Sequence, residues 1–301
     1  MTEHHPIPSY LVERIRKRGH NYISLLRCPQ TGKALIEEQG HVQTEYSPNN
    51  GHSHHYYYED GILRLLTADQ RAEFDTDSQR LTEQYQSEER AIPSHAEFRT
   101  LPQSNLEGWA NGFWQQRTFC TAEMWRILEE IRIDNEKLPI ALTGRAVDLT
   151  DGMGWIAYAL DVSGYSTIAL GQNAGIYGLG AFPISRYLRI QASQTAPPLV
   201  DEKFDLVVYS FSFLDIRNPD VSLENARNLL QKYGHLLILS DEVDDDGKAK
   251  LDHAAKTLNS LGFGITHRKV GAMGSKLSRT MKNIVRNVPN IPPIIVAQRL
   301  D

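Results

Sequence analysis

With 301 residues, 41% of them hydrophobic, the chain is long enough for one large or two modest domains around a well-filled core. A formal net charge of -5 at pH 7 excludes a surface built throughout for polyanions and leaves room only for a local basic face. Two cysteines, Cys28 and Cys120, exclude a disulfide framework and suit a reducing compartment. No apolar run approaches the ~20 residues of a membrane span, so a cytoplasmic protein is expected.

Composition divides the chain into three regions. Residues 1–66 read as a small β-rich module. Tyr22 to Leu26 is apolar, RCPQTGK is a turn, and short strands at Ala34 to Glu38 and Tyr56 to Leu66 flank the loop SPNNGHSHH. Residues 67–138 read as a helical linker and lid. Its first helix is charged on most faces and starts on Thr67 as N-cap. After a break from Pro93 to Pro102, a second helix carries Trp114, Thr118, Thr121, Trp125 and Leu128 at three- and four-residue spacing. That stripe either docks the helix on a sheet or walls a substrate pocket. The stripe and the charged face near Glu83 leave room for a homodimer.

Residues 139–301 alternate strands and helices. Strands are expected at Ala146 to Leu149, Thr167 to Leu170, Phe204 to Tyr209, His235 to Leu239, Ile265 to Lys269 and Ile294 to Gln298. Helices are expected to begin near Gly154, Pro219 and Asp245. The second has Asn218 as cap, Pro219 at its first position and Gly234 as its end. This order predicts an α/β fold with a doubly wound, mostly parallel sheet whose ligands sit beyond the carboxyl ends of the strands. The stretch IQASQTAPPLVDEK is polar and proline-containing, and no third strand is predicted there. Ile176 to Phe182 is a glycine-rich turn, read as a bend in preference to a ligand contact.

The densest motif is RAVDLTDGMGWIAYALDVSGYSTIALG, Arg145 to Gly171, with a strand, a glycine turn, a helix and a second strand. Gly152, Gly154 and Ala157 satisfy a relaxed dinucleotide pattern, but Asp148 and Asp151 together would repel a pyrophosphate. With KFDLVVYSFSFLD and GHLLILSDE, the segment VDLTDGMGW resembles the class I S-adenosylmethionine-dependent methyltransferases, a Rossmann-like family. The resemblance implies cofactor contacts from Asp148, Thr150, Gly152, Gly154, Trp155, Gln172, Ser210 and Phe211, and a substrate pocket near Trp114, Trp125, Ser212 and Asp215. It implies no obligatory general base, because alignment of a nucleophilic acceptor supplies much of the catalysis.

Family members carry an acidic residue at the end of the second strand for the ribose hydroxyls. This chain has Gly171 there, followed by Gln172 and Asn173, either of which offers a neutral bond. Replacing a charge-assisted bond by a neutral one costs about 1.5 to 3 kcal/mol, or about ten- to a hundredfold in affinity. The expected function is methyl transfer from S-adenosylmethionine to a small molecule or biosynthetic intermediate. A noncatalytic methyltransferase-like binding or scaffold protein with a degenerate cofactor site stays open, as does other chemistry in the same pocket. Ser210 to Asp215 is equally well read as a capped turn.

LLRCPQTGKAL and EDGILRLL resemble the small zinc-ribbon-like modules that accompany some methyltransferases. Thr31 stands where that pattern has its second cysteine, and the second cysteine pair is missing. A closed zinc site needs four ligands. A metal-free ribbon is therefore expected, with His52, His54 and His55 solvated. Between Lys256 and Arg299 no acidic residue interrupts Arg268, Lys269, Lys276, Arg279, Lys282 and Arg286. This insertion could dock an anionic substrate or RNA, or form an amphipathic helix with Leu277, Met281, Ile284 and Val285 inward. It lacks aromatics for base stacking, so a small-molecule substrate or a protein partner is favoured over nucleic acid.

Overall fold

The computed structural model describes residues 22–38, 41–44, 53–89, 92, 123–129, 144–150, 152–181, 187–240, 244–269 and 293–301, with backbone alone for 267–269. The strands are β1 (Leu35–Glu38), β2 (His41–Thr44), β3 (His55–Tyr56), β4 (Tyr58–Glu59), β5 (Ile62–Arg64), β6 (Arg145–Thr150), β7 (Ser166–Gly171), β8 (Leu188–Gln191), β9 (Phe204–Ser210), β10 (Leu230–Leu239), β11 (Phe263–Lys269) and β12 (Ile294–Arg299). The helices are α1 (Ala68–Ser87), α2 (123–129), α3 (Trp155–Val162), α4 (Pro219–Leu229) and α5 (Asp245–Ser260).

Nine strands form one sheet in the order β11-β12-β10-β9-β6-β7-β8-β5-β4. The run β5, β8, β7, β6, β9, β10 is parallel, whereas β12 lies antiparallel to both β10 and β11. Numbered from β6, the α/β part has the order 3-2-1-4-5-7-6. This is the doubly wound order of dinucleotide-binding sheets with one antiparallel strand inserted between the fifth and sixth. Parallel strands covered on both faces read as continuous apolar runs, and β6, β7 and β9 are buried along nearly their whole length. The expected Rossmann-like fold class is the one observed.

Three local expectations change. The stretch in which no third strand was expected opens with the last two residues of β8, whose four residues are all buried. The α4 helix has Pro219 in its first turn, but Asn218 makes no side-chain cap bond and the helix stops at Leu229. Gly234 lies inside β10, where pairing with β9 shifts register between Leu230 and His235. A Cβ on Gly234 would come within 2.9 Å of the Gln231 carbonyl. Thr67 does cap α1, in a reciprocal box with Gln70.

The N-terminal region carries its own three-stranded sheet, β1-β2-β3, yet its next hairpin, β4–β5, extends the large sheet. Leu63 pairs with Ile190 and Arg64 with Gln191. The chain before β1 is also fastened to the α/β part, with Arg27 N donating to Pro198 O and Val200 N to Leu25 O. Leu26, Val42 and Leu63 share one buried cluster with Val147 and Leu170. The sheet and its core thus continue across the compositional boundary at residue 66.

His235 is a buried site of pH sensitivity midway along β10. Burial pushes its imidazole down to about 4. The unfolded chain, with a histidine near its ordinary value of about 6.5, then binds the proton more readily than the folded one. Stability is complete above about pH 6.5 and falls as pH drops toward 4, by up to about 3 kcal/mol. Urea unfolding at stepped pH is expected to show that decline. His235→Gln should flatten it over this interval, and an unchanged slope would place the titration elsewhere.

Candidate functional site

The sheet reverses its winding between β6 and β9, and the crevice beyond the carboxyl ends of those strands is where an open α/β sheet holds ligands. Asp148 on β6 is fully buried. Its Oδ1 accepts a short bond from Ser210 Oγ at the end of β9, and its Oδ2 accepts from the Ala157 amide at 3.0 Å. Ala157 lies in the first turn of α3. The N-cap of that helix, Gly154, has no side chain, so Asp148 does from a neighbouring strand what a capping carboxylate does locally.

Gly154 takes the left-handed backbone, φ 71°, which glycine adopts without steric cost. Its carbonyl accepts from the buried Tyr187 hydroxyl at 2.9 Å, and a Cβ would meet that hydroxyl at 3.1 Å. The Gly152 amide donates to Thr150 Oγ1 at 3.0 Å. The turn is therefore tied to itself, to β6 and to the residue before β8. Burial holds the Tyr187 phenol protonated well above its usual range, which keeps it a donor.

Across the crevice Phe211 also has a left-handed backbone, φ 64°, an uncommon state for a bulky residue. Its amide donates to Leu239 O at 2.9 Å and its ring lies 6.0 Å from that of Trp155. Such strain costs about 1 to 3 kcal/mol and gathers at ligand sites. Trp155, Phe211, Met153 and Tyr177 belong to one apolar cluster with Met124, Ile127 and Leu128 of α2, and Trp125 packs against it half-buried. Helix α2 therefore covers the crevice side of the sheet, and the half of its aromatic stripe that is described faces this cluster. Trp114, Thr118 and Thr121 lie outside the described residues.

The neighbouring strand end differs from the family pattern for a steric reason. A Cβ on Gly171 would stand 2.7 Å from the Thr150 carbonyl oxygen, so β7 has no room for a carboxylate there. That carbonyl accepts a short bond from the buried Gln194 amide, in the loop after β8. Of the two neutral substitutes, Asn173 is committed, its Oδ1 accepting from the Gly175 amide at 2.8 Å. Gln172 is half-buried, and no described residue hydrogen-bonds its side-chain amide. The glycine-rich turn that follows folds on itself through Leu179 N to Asn173 O and Gly178 N to Gly175 O, as a bend does. Helix α1 lies over this loop, Ser78 Oγ accepting from Ala174 N and Tyr85 meeting Tyr177 edge-on at 5.3 Å.

Not every expected residue joins this group. Ser212 Oγ donates to Leu149 O at 2.7 Å, so it serves the backbone of β6. Asp215 lies exposed in the short turn Phe213–Asp215, with no hydrogen bond to Asp148 or Ser210. Tyr187, Gln191 and Gln194 were missed, although YLRIQ alternates apolar and polar residues as a strand does.

Before the N-terminal sheet Cys28 is buried and meets the hydroxyl of Tyr56 on β3 at 3.0 Å. Burial pushes its thiol up, but bonds from Thr31, Tyr56 and the Gln30 and Thr31 amides outweigh that and leave it below its ordinary value. His55 Nε2 lies 2.7 Å from Ser53 Oγ, His54 precedes β3, and His52 lies outside the described residues. No group of three histidine, cysteine or acidic residues able to hold a metal occurs among the described residues. The side chains of Arg268 and Lys269, all of Lys276, Arg279, Lys282 and Arg286, the apolar set Leu277, Met281, Ile284 and Val285, and Cys120 also lie outside them. No helix among the described residues is long and apolar enough to cross a membrane.

Residues 141–238 match the family described as a methyltransferase domain. This segment is similar to a methyltransferase domain. A comparison with curated proteins gave no match. Among solved structures, an S-adenosylmethionine-dependent methyltransferase from Mesorhizobium loti is 15% identical over 52% of this chain and 91% of its own, with a TM-score of 0.40. One from Aquifex aeolicus is 13% identical over 58% and 88%, with a TM-score of 0.41. The complex between the Haloferax volcanii Trm112 methyltransferase activator and a methyltransferase is similar at 14% identity over 68% and 98%, with a TM-score of 0.45. The methyltransferase-like segment runs from just before β6 into β10, and so contains the whole Asp148 to Ser210 crevice.

Proposed function

We propose that the chain is an S-adenosylmethionine-dependent methyltransferase acting on a small molecule or a biosynthetic intermediate. The observation that carries this reading is the convergence, at the switch point of the sheet, of a buried carboxylate, the amino terminus of α3 and the strained Phe211 backbone with its ring beside Trp155. S-adenosylmethionine, when bound, supplies an electrophilic methyl group on a sulfonium. Asp148 offers the countercharge for its methionyl ammonium, the paired aromatics exclude water, and Gln172 leaves a neutral amide for the ribose. Alignment of the acceptor then does the rest of the catalysis. The residues present thus fit the ligand, with a charged hold at one end and a neutral one at the other.

One observation favours a second reading, a noncatalytic binding or scaffold protein. Asp148, the Thr150 carbonyl and the Leu149 carbonyl each have a protein partner already, in Ser210 with Ala157, Gln194 and Ser212. Calorimetric titration of the full chain with S-adenosylhomocysteine separates the two. The methyltransferase reading expects saturable heat and a raised melting temperature at or below millimolar ligand. Neither signal would appear if the crevice is closed.

A further inference from the structure

The rim of the sheet beyond β7 is assembled by a residue from the N-terminal hairpin. Arg64, Gln191 and Gly171 are register neighbours across β5, β8 and β7. Arg64 Nη1 donates a short bond to Gln191 Oε1, and Gln191 Nε2 donates at 2.7 Å to the Gln172 carbonyl. Gln191 is fully buried, so both ends of its amide are spent on this link. Arg64 is held in turn by two acids from different elements, its Nε 3.4 Å from Glu59 Oε2 on β4 and its Nη1 3.4 Å from Asp75 Oδ1 on α1. Arg71 of α1 closes the ring on Glu59 at 2.5 Å.

The cluster is locally neutral, two arginines against two acids, so it holds no spare charge for an anion. Its free end is instead the peptide of Gln172, whose carbonyl it pins while no described residue hydrogen-bonds the Gln172 side chain. Gly171 has no room for a side chain, and the Asn173 Oδ1 already accepts from the Gly175 amide. Among these three consecutive residues Gln172 is therefore the one whose side-chain oxygen no described residue engages.

We propose that Arg64 of the β4–β5 hairpin is a positioning residue that, through Gln191, fixes Gln172, to which the proposed function gives the ribose hydroxyls. This rests on the methyltransferase reading and makes the N-terminal region part of the cofactor's grip. A guanidinium matters here because its planar fork serves Gln191, Glu59 and Asp75 from one group.

The test is calorimetry on the full chain with two probes, S-adenosylhomocysteine and its 2′-deoxy analogue. The native chain is expected to prefer the diol by about three- to tenfold, the range of one neutral hydrogen bond. Gln172→Ala, Arg64→Met and Gln191→Met should each bring that preference to about one while the affinity for the deoxy analogue holds within about twofold. A purely structural Arg64 would lower the melting temperature and leave the preference intact, which overturns the relay. Gln172→Glu changes no buried side chain. It should raise the preference by about tenfold through a charged acceptor, and a preference that stays put overturns the assignment of Gln172. No heat from either probe on the native chain overturns the underlying methyltransferase reading, whereas a native preference that is lost in Gln172→Ala but kept in Arg64→Met and Gln191→Met overturns the relay alone.

Discussion

Gly171→Asp, which writes the family's ribose carboxylate back onto β7, is expected to destabilise the chain by about 3 kcal/mol or more and to leave S-adenosylhomocysteine no better bound. The Cβ alone would stand 2.7 Å from Thr150 O. That oxygen belongs to the backbone at the end of a central strand, pinned by Gln194, and cannot swing aside as a flexible side chain would. Relief requires β6 and β7 to part at their carboxyl ends, against the ladder that pairs Leu149 with Leu170. The carboxylate would add a second penalty, a negative charge facing a carbonyl in a buried position. Gly171→Ala carries only the first term and should cost about 1 to 3 kcal/mol. Urea unfolding of the two variants checks the order, and calorimetry checks the ligand. A Gly171→Asp protein as stable as the native chain, with tighter ligand binding, would show that the strand ends are free to separate and that the missing acid is an accident of sequence.

What the chain reveals before folding follows its local periodicities. The unit β6–α3–β7 was legible to within a residue or two because apolar strands, a glycine turn and a helix are all short-range signals, and Thr67 announced α1 in the same way. The strand β8 was hidden by its own chemistry. Arg189 and Gln191 are polar yet buried, because the guanidinium of Arg189 donates to Leu179 O and Asp60 O and the amide of Gln191 spans Arg64 and Gln172. Polar residues read as surface unless their partners are known, and these partners are distant: Arg64 and Gln191 stand 127 positions apart. For the same reason nothing local disclosed that β5 would extend the central sheet. Gly234 misled in the other direction, a helix-stop residue by pattern that is used for a shift in strand register.

The glycine at position 154 bears on the second large effect, at Asp148. A helix that begins on glycine lacks a side-chain cap, and Asp148 fills that role from β6 through the Ala157 amide. The same carboxylate is the one anionic group expected to hold a sulfonium ligand's ammonium, so structural and binding roles coincide in one side chain and must be separated by substitution. Asp148→Ala removes the acceptor for two buried donors, the Ala157 amide and the Ser210 hydroxyl, and leaves a void. Its expected cost is about 2 to 4 kcal/mol. Asp148→Asn is milder, because the amide oxygen still receives the Ala157 N–H and the Ser210 hydroxyl can turn to accept from the new N–H. Its expected cost is about 1 kcal/mol. Ligand binding should rank the pair differently. Both lose the charge, so both should bind S-adenosylhomocysteine about ten- to a hundredfold more weakly, although only the alanine variant is strongly destabilised. Thermal unfolding against calorimetry decides it. If Asp148→Asn binds ligand as the native chain does, the carboxylate is a helix cap alone and the crevice holds its ligand elsewhere.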